Sequence, residues 1–528
     1  MKNIFISLFV IGLLVLFFML LPTPNKPQQD SDRITIIRGA TMFDGNTWLG
    51  ETDVAFQRGL IIGLGSRLTN KYKTANVIDA SGQYLLPGLI DAHTHAWDNA
   101  LSNAVKYGVT TELDMFTNNA FASTQRPLRQ QHNVDVQQAD LFSAGTLITA
   151  PNGHGTEYGF EIDTIENAAQ ANDFVAARIN EGSDYLKIVY NATSRYMPSI
   201  DKATLHALVQ AAHQQGKLAV VHISDLQSAR DAINAGADGL VHAFVGKEQT
   251  EQLIPLAKHM ANNKQFMIPT LSIIASMMGQ DNSAQLVADF NNESKFKVGD
   301  VSSQLSNLRN DRNRQSLFEM TQQQVSLLHN AGVMILAGTD APNPGTAHGI
   351  SMHLELQLLV ESGLTPTEAL MAATSNVAKA FKLTHRGVIA VDHKADFVLL
   401  NRDPRVDITN TRTISTVFKN GFEISDNAQE QQHTVINAMM FSDFDNDLTS
   451  TLKTTWYSTT DEQFGGNSSV DIVRKAGEQG SHLYITGELK RKFSFPWAGA
   501  FISFSENNKQ PMDLTHLRGV ALNVKGTA

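Results

Sequence analysis

Between Pro87 and Leu364, apolar runs suited to buried parallel strands alternate with segments whose apolar positions recur at helical spacing, the βα rhythm of an α/β fold. The runs are PGLIDAH, GVTTELDM, ADLFSAG, DYLKIVY, KLAVVHI, DGLVHAF, QFMIPTL and VMILAGTD. Eight strands with intervening helices predict a closed (β/α)8 TIM barrel over residues 87–385 rather than an open sheet. The flanks read differently. ITIIRGATMF, TDVAFQRGLIIGLG and ANVIDASGQYLL before the barrel, and GVIAV, ADFVLLN and TVFKNG after it, are short β-like runs broken by Gly, Asn and Asp. Residues 33–86 and 386–425 are therefore expected to pack together as one small composite β-sandwich beside the barrel. Within the barrel, Thr365-Pro366-Thr367-Glu368 supplies an N-cap, a first-position proline and a capping glutamate, so a helix should start there. The long polar connection from Ser276 to Asn313 predicts an insertion or lid instead of a short loop.

The two ends of the chain have separate characters. Lys2 precedes an apolar run from Ile4 to Leu21, followed by a polar, proline-spotted stretch to Asp32. Residues 1–32 thus read as an export segment, an uncleaved membrane anchor in preference to a cleaved signal peptide. The body is expected outside the cytoplasmic membrane, in a periplasmic or other extracytoplasmic space. From about Met439 short β-runs rich in Ser, Thr and Gly predict a further β domain over residues 438–528.

Composition narrows the chemistry. A formal net charge of -10 gives no basic face for nucleic acid. Cysteine is absent, so any metal must sit on His, Asp, Glu or Lys. His93 and His95 end the first barrel run, and the period of a strand puts both imidazoles on one face, where they can chelate. With 17 histidines in the chain, a chance H-x-H is the competing explanation. His222 closes VVHIS and His242 closes GLVHAF, one βα unit apart; a lone strand-end histidine is otherwise a hydrogen-bonded core or surface residue. Asp340 ends the eighth run, where a carboxylate could equally cap a turn. Lys187, between Leu186 and Ile188, is either a lysine that snorkels to the rim or a buried amine. Burial lowers a lysine pKa, and a neutral amine can add carbon dioxide to give an anionic carbamate. What joins these residues is placement: all fall near the C-terminal ends of strands, where barrel enzymes gather their catalytic groups.

At these residues the sequence resembles the amidohydrolase superfamily, and within it the imidazolonepropionase-like group that includes prolidase-type dipeptidases. LLPGLIDAHTHAWD, GVTTELDM, PNGHG, SDYLKIV, VVHIS, GLVHAF, IPTLS, AGTDAPNPGTAHG, LTPTEALMAATSNVAKAF and GVIAVDHKADFVLLNRDP carry the match, in the family's order over residues 33–425. The resemblance implies two divalent cations, with zinc as the expected metal. His93, His95 and Asp340 would hold one, His222 and His242 the other, and an N6-carboxylated Lys187 would bridge them. It also implies that a metal-bridging hydroxide hydrolyses an amide-like C–N bond, as in a dipeptide, N-acyl amino acid or cyclic amide. Asp340 would act as general base, then acid. Family members without the fourth-strand lysine use one metal, so Lys187 selects the two-metal reading. His154, in PNGHG, matches a substrate- or transition-state-contacting histidine, and Tyr190 and His348 are further candidates to line the substrate pocket. A lactone or ester hydrolase and a non-catalytic binding barrel are the alternatives, and assembly into a homo-oligomer is left open. The sequence departs from the family at Asp392-His393, where a Gly-containing turn is usual. Trp456, Asp461, Gly465, Gly466, Ser468, Gly487 and Trp497 resemble the first half of the β-sandwich of the complex I intermediate-associated protein family, implying a partial jelly-roll domain.

Overall fold

The computed structural model describes residues 32–425, apart from 159–160, 194–196, 245–249, 281–282, 300 and 306–313, and further on residues 456–460, 469–477, 480–488, 498–502, 505–506 and 510–511. The expected export segment lies, but for Asp32, outside the described residues. Among the described residues no helix is long and apolar enough to cross a membrane. Contacts divide the chain into two units, Met1–Asn427 and Ala428–Ala528.

The first unit begins with β1 (Thr35–Phe43), β2 (Trp48–Gln57), β3 (Leu60–Gly65), β4 (Asn76–Asp79) and β5 (Tyr84–Pro87). The central strands follow: β6 (Leu89–Thr94), β7 (Val109–Asp114), β8 (Asp140–Ser143), β9 (Leu186–Val189), β10 (Ala219–His222), β11 (Gly239–Val241), β12 (Phe266–Ile268) and β13 (Met334–Ile335). It closes with β14 (Phe397–Leu400), β15 (Ile414–Lys419) and β16 (Phe422–Glu423).

The two flanks meet in hydrogen bonds. β14 runs antiparallel to β5, with Phe397 opposite Pro87 and Leu400 opposite Tyr84. The two flanks share one continuous mixed sheet of order β16-β15-β14-β5-β1-β2-β3, with β4 also on β1, and it folds over so that Phe56 of β2 meets Phe397 of β14 and Phe418 of β15, ring centres 5.6 and 6.1 Å apart. The reason lies in β1, which pairs in parallel with β4 through Thr35–Arg38 and with β5 through Thr41 and Met42. Its register against β2 breaks between Ile37 and Ala40, around Gly39 at φ 76. Such a bulge re-aims a strand, so one strand serves two parallel partners. Met42, Val54, Phe56, Leu85, Phe397 and Phe418 fill one apolar cluster of this sheet, while Leu86, Val398, Leu400 and Val417 join the large core around the central strands. At Asp392 the backbone takes φ 67, the left-handed conformation that a glycine would supply and that Asp tolerates better than most residues.

Each of the eight expected barrel runs contains a strand. β6-β7-β8 form one parallel sheet, and β13-β12-β11-β10-β9 another. Single parallel bridges, Thr94 to Ala341 and Ile148 to Ile188, link the two sheets at both seams. Every residue of β6, β7 and β9 is buried, which is why these runs read as continuous rather than alternating apolar text. Ile90, Ala92, Leu113, Tyr185, Val220, Val241, Ile268 and Leu336 share an inner cluster with Phe381. Register does the functional work: Val189 pairs with His222, and His222 with Val241, the residue before His242. Parallel strands in that register end at one level, so their terminal side chains share one rim.

Thr365 caps the helix Pro366–Ala372 with both halves of a capping box, as its text predicts. In the long connection the described residues hold the helices Ser283–Glu293 and Ser302–Leu305. In the second unit, β17 (Trp456–Thr460), β18 (Ser469–Gly477), β19 (Gly480–Glu488), β20 (Ala498–Ile502), β21 (Ser505–Glu506) and β22 (Gln510–Pro511) form three antiparallel pairs. β17 pairs with β20, β18 with β19 and β21 with β22. Trp456 and Gly487 lie on these strands, while Asp461, Gly465, Gly466, Ser468 and Trp497 lie outside the described residues.

Candidate metal centre

Two imidazoles and a carboxylate converge at the end of β6 and in the segment that follows β13. His93 Nε2 lies 3.1 Å and His95 Nε2 2.9 Å from Asp340 Oδ1. These three side chains can offer atoms all within 4.8 Å of one another, the spacing of a shared cation. His242 Nδ1 stands 4.0 Å from Asp340 Oδ2. Its ring is centred 4.9 Å from that of His93 and 4.5 Å from that of His222, which in turn lies 5.0 Å from His154. Lys187 is buried and acts electrostatically on His93, His222, His242 and Asp340. Five rim side chains and one buried amine, scattered from His93 to Asp340, thus lie near one another, and three of them, His93, His95 and Asp340, have the spacing of a cation site.

Local backbone explains part of the gathering. His242 and Asp340 sit at φ 73 and φ 60, left-handed conformations that cost energy in non-glycine residues and cluster at functional sites. The bond from Asp340 N to His93 O, 2.8 Å, ties the segment after β13 to β6. Gly338 makes room for this: a Cβ there would lie 2.6 Å from Ile268 Cγ2 and 2.9 Å from His93 Cβ. Gly338→Ala should therefore displace His93, lowering metal affinity and costing roughly 1–3 kcal/mol of stability, as overpacking does. Isothermal titration and a denaturation midpoint check both, and an unchanged affinity would refute the packing argument.

The electrostatics suit a cation. Burial, then the neighbouring Lys187 charge, drives His93 well below the usual histidine range. Burial does the same to His222 and takes His242 down to about 3, so all three present neutral imidazoles. Burial alone would raise Asp340, but its contacts with His93 and His95 outweigh that and hold it ionised. Burial lowers Lys187 from 10.5 to about 7, which makes the free amine accessible near neutrality. His93 Nε2 and Asp340 Oδ1, though close, lack hydrogen-bond geometry, and neither has a hydrogen-bond partner among the described residues. Buried polar atoms left so cost about 1–3 kcal/mol each, which a shared cation would remove. The donor set, neutral imidazoles with a carboxylate and no thiolate, fits zinc or a similar divalent ion.

Several imidazoles are also aimed from behind. His95 Nδ1 meets Phe116 O at 3.2 Å, His242 Nδ1 meets Thr270 Oγ1 at 2.8 Å, and His154 Nδ1 meets Glu157 Oε1 at 2.6 Å. For His242 this leaves Nε2 as the free nitrogen, the usual outer-shell device of metal sites, while His95 Nε2 meets Asp340 Oδ1. The sequence reading missed these partners, and missed Asp91, which accepts from His93 N, Thr339 N and Thr339 Oγ1. Asp91 could have been found as the carboxylate two residues before His93 on the same strand; Thr270 carried no sequence signal.

Tyr190 and His348 have contacts of their own. Tyr190 belongs to the large core cluster, and its hydroxyl meets Asp231 Oδ2 at 3.0 Å, on the helix Leu226–Asn234. Its ring packs in the core, and its hydroxyl pins a helix. His348 is buried with Nδ1 2.8 Å from Glu112 Oε1, and Thr94 Oγ1 donates to the other oxygen of that carboxylate. These contacts tie His348 through Glu112 on β7 to Thr94 on β6, and leave its buried Nε2 without a hydrogen-bond partner among the described residues.

An α/β scaffold with this rim has the residue types of a metal-dependent hydrolase. The family can be named as well: the model described as "Amidohydrolase family" matches residues 84–424, and the chain belongs to that family. Residues 443–528 match the model of Complex I intermediate-associated protein 30 (CIA30). Among curated relatives, an imidazolonepropionase of Brevibacillus brevis is 23% identical over 406 residues, 72% of this chain and 89% of that one. An adenine deaminase of Lysinibacillus sphaericus is 23% identical over 387 residues, 72% of this chain and 56% of its own length. Among solved structures, a Xaa-Pro dipeptidase with bound methionine aligns at TM-score 0.58 and 21% identity, covering 74% of this chain and 99% of that one. An A. niger ochratoxinase aligns at TM-score 0.58 and 19% identity, covering 74% and 96%.

Proposed function

We propose that this chain hydrolyses an amide-like bond in a small molecule with two divalent cations, most simply zinc. His93, His95 and Asp340 would hold the first and His222 and His242 the second, with a carboxylated Lys187 supplying an anionic ligand. The observation that carries this reading is the convergence of all six side chains on one rim. The bridges at both seams support reading the two central sheets as halves of one closed barrel. When bound, the cations make water a competent nucleophile near neutral pH and polarise the substrate carbonyl. Asp340, ionised at the rim, takes the proton from the attacking water and hands it to the leaving nitrogen. His154 is held by Glu157 through Nδ1 with its ring beside that of His222, and in its imidazolium form, paired with Glu157, it can donate Nε2–H to the carbonyl oxygen as charge develops.

The dipeptidase and imidazolonepropionase relatives make a dipeptide or a cyclic amide the first substrates to try, with N-acyl amino acids beside them. The chelator 1,10-phenanthroline should abolish hydrolysis across such a panel, and added zinc should restore it. Metal analysis of protein purified without added metal should return close to two ions per chain. Full activity in the metal-stripped protein would end this proposal. We also place the mature body outside the cytoplasm, on the strength of the apolar run Ile4–Leu21; fractionation of cells carrying the full chain tests it, and recovery in the soluble cytoplasm would refute it.

A further inference from the structure

Glu355 lies on the helix Ile350–Glu361 and is fully buried, among Leu354, Leu356, Leu358 and Leu359 on the same helix. Among the described residues it has no ion-pair partner, and burial lifts its carboxyl to about 7. A buried carboxylate without a cation needs a reason. Two backbone amides hold it, Leu271 N donating to Oε1 at 3.0 Å and Ser272 N to Oε2 at 2.7 Å, with the Ser272 hydroxyl also beside the carboxyl. These are the first residues of the helix Leu271–Met277, whose N–H groups have no acceptor within their own helix.

Thr270 is the residue just before them, at φ 51 and ψ 49. Left-handed backbone is a true outlier for a β-branched side chain, and it persists only where the surroundings over-determine it. The grip of Glu355 on the next two amides supplies that constraint. What the constraint achieves is contact: it aims Thr270 Oγ1 at His242 Nδ1, 2.8 Å away. The same turn reaches the opposite side of the site, where Ser272 Oγ donates to the carbonyl of Thr339, the residue before Asp340.

We propose that Glu355 and Thr270 act as a positioning pair that fixes His242 with its Nδ1 proton on the threonine hydroxyl and its Nε2 lone pair turned to a cation. Glu355 touches neither substrate nor metal; it acts through the backbone of residues 270–272. A purely packing role for Glu355 would demand only a side chain of its size. The positioning role demands an acceptor that holds two N–H groups, and a hydroxyl at position 270. The naming of a cation at His242 rests on the two-cation reading above, whereas the ring orientation does not.

The test uses the full chain labelled with 15N-histidine, first metal-free and then titrated with zinc against a chromophoric chelator. In wild type the two-bond 1H–15N spectrum should show His242 as the Nδ1–H tautomer. Glu355→Gln keeps the size but turns a donor onto one amide, and Thr270→Val keeps the branched shape but lacks the hydroxyl. Both should mix the tautomers and weaken one zinc site about 10- to 100-fold, leaving the other within about threefold. Thr270→Ser, which keeps Oγ, should restore the wild-type pattern. The inference is overturned if Glu355→Gln and Thr270→Val keep the wild-type tautomer and both affinities, or if Thr270→Ser behaves like Thr270→Val. A wild type that binds a single zinc would sink the two-cation reading, while the tautomer signal would still judge the pair.

Discussion

Asp340→Asn should lower kcat by about a thousandfold, within the range that general acid–base groups contribute, while leaving the fold intact. The substitution keeps the shape and one carbonyl oxygen 2.9–3.1 Å from His95 and His93, so a cation can still be held there. It removes the lone pair that takes the proton from water and returns it to the leaving nitrogen. An amide nitrogen leaves poorly unless protonated, so the loss falls on the chemical step more than on KM. Hydrolysis of the best substrate from the panel, with a circular dichroism spectrum to confirm folding, decides the matter. Activity within tenfold of wild type would remove Asp340 from the proton-transfer role.

Lys187→Ala carries the second large effect. If the carbamate is the anionic bridge, its loss leaves neutral imidazoles alone to hold the second cation, and the protein should bind one ion per chain in place of two. Activity should fall about a hundredfold or more on general acid–base and metal-activation grounds. A small carboxylate such as propionate, which carries the same pair of oxygens, should restore part of it. An unaltered content of two ions would show that Lys187 is not a ligand.

The buried amine has a second readout in metal-free protein kept clear of carbon dioxide. Burial lowers its folded-state pKa from 10.5 to about 7, so between those values the unfolded chain binds more protons than the folded one. Stability must then rise with pH across that window. Lys187→Met should flatten the rise of the thermal midpoint between pH 7 and about 10. A slope equal to that of wild type would mean that the lysine is not buried as an amine.

Much of the site was legible because strand ends announce themselves. His93, His95, His222, His242 and Asp340 each close an apolar run, and parallel strands in register bring closing residues to one level. Tyr190 follows the same rule by position, yet its side chain turns to Asp231 and the outer core. Text records where a residue falls along a strand but not which way the chain turns after it. His348 makes the same point, since the loop after β13 brings its Nδ1 onto Glu112. The small β domain shows the limit from another side: its strands were countable, but that one strand, bulged at Gly39, would join them in a single folded-over sheet was not.

What belongs to the sequence alone is local: the alternation of strand and helix, the capped start at Thr365, the metal-binding residue types and the absence of any thiolate competitor. These follow from periodicity and side-chain chemistry, which need no knowledge of distant neighbours. What only tertiary structure decided is orientation. Buried carboxylates such as Asp91 and Glu355 contact backbone amides that in the case of Glu355 lie more than eighty positions away, and through them the histidines are turned toward one point. Such pairings depend on how separate elements pack, because a backbone N–H carries no side-chain identity for the sequence to display.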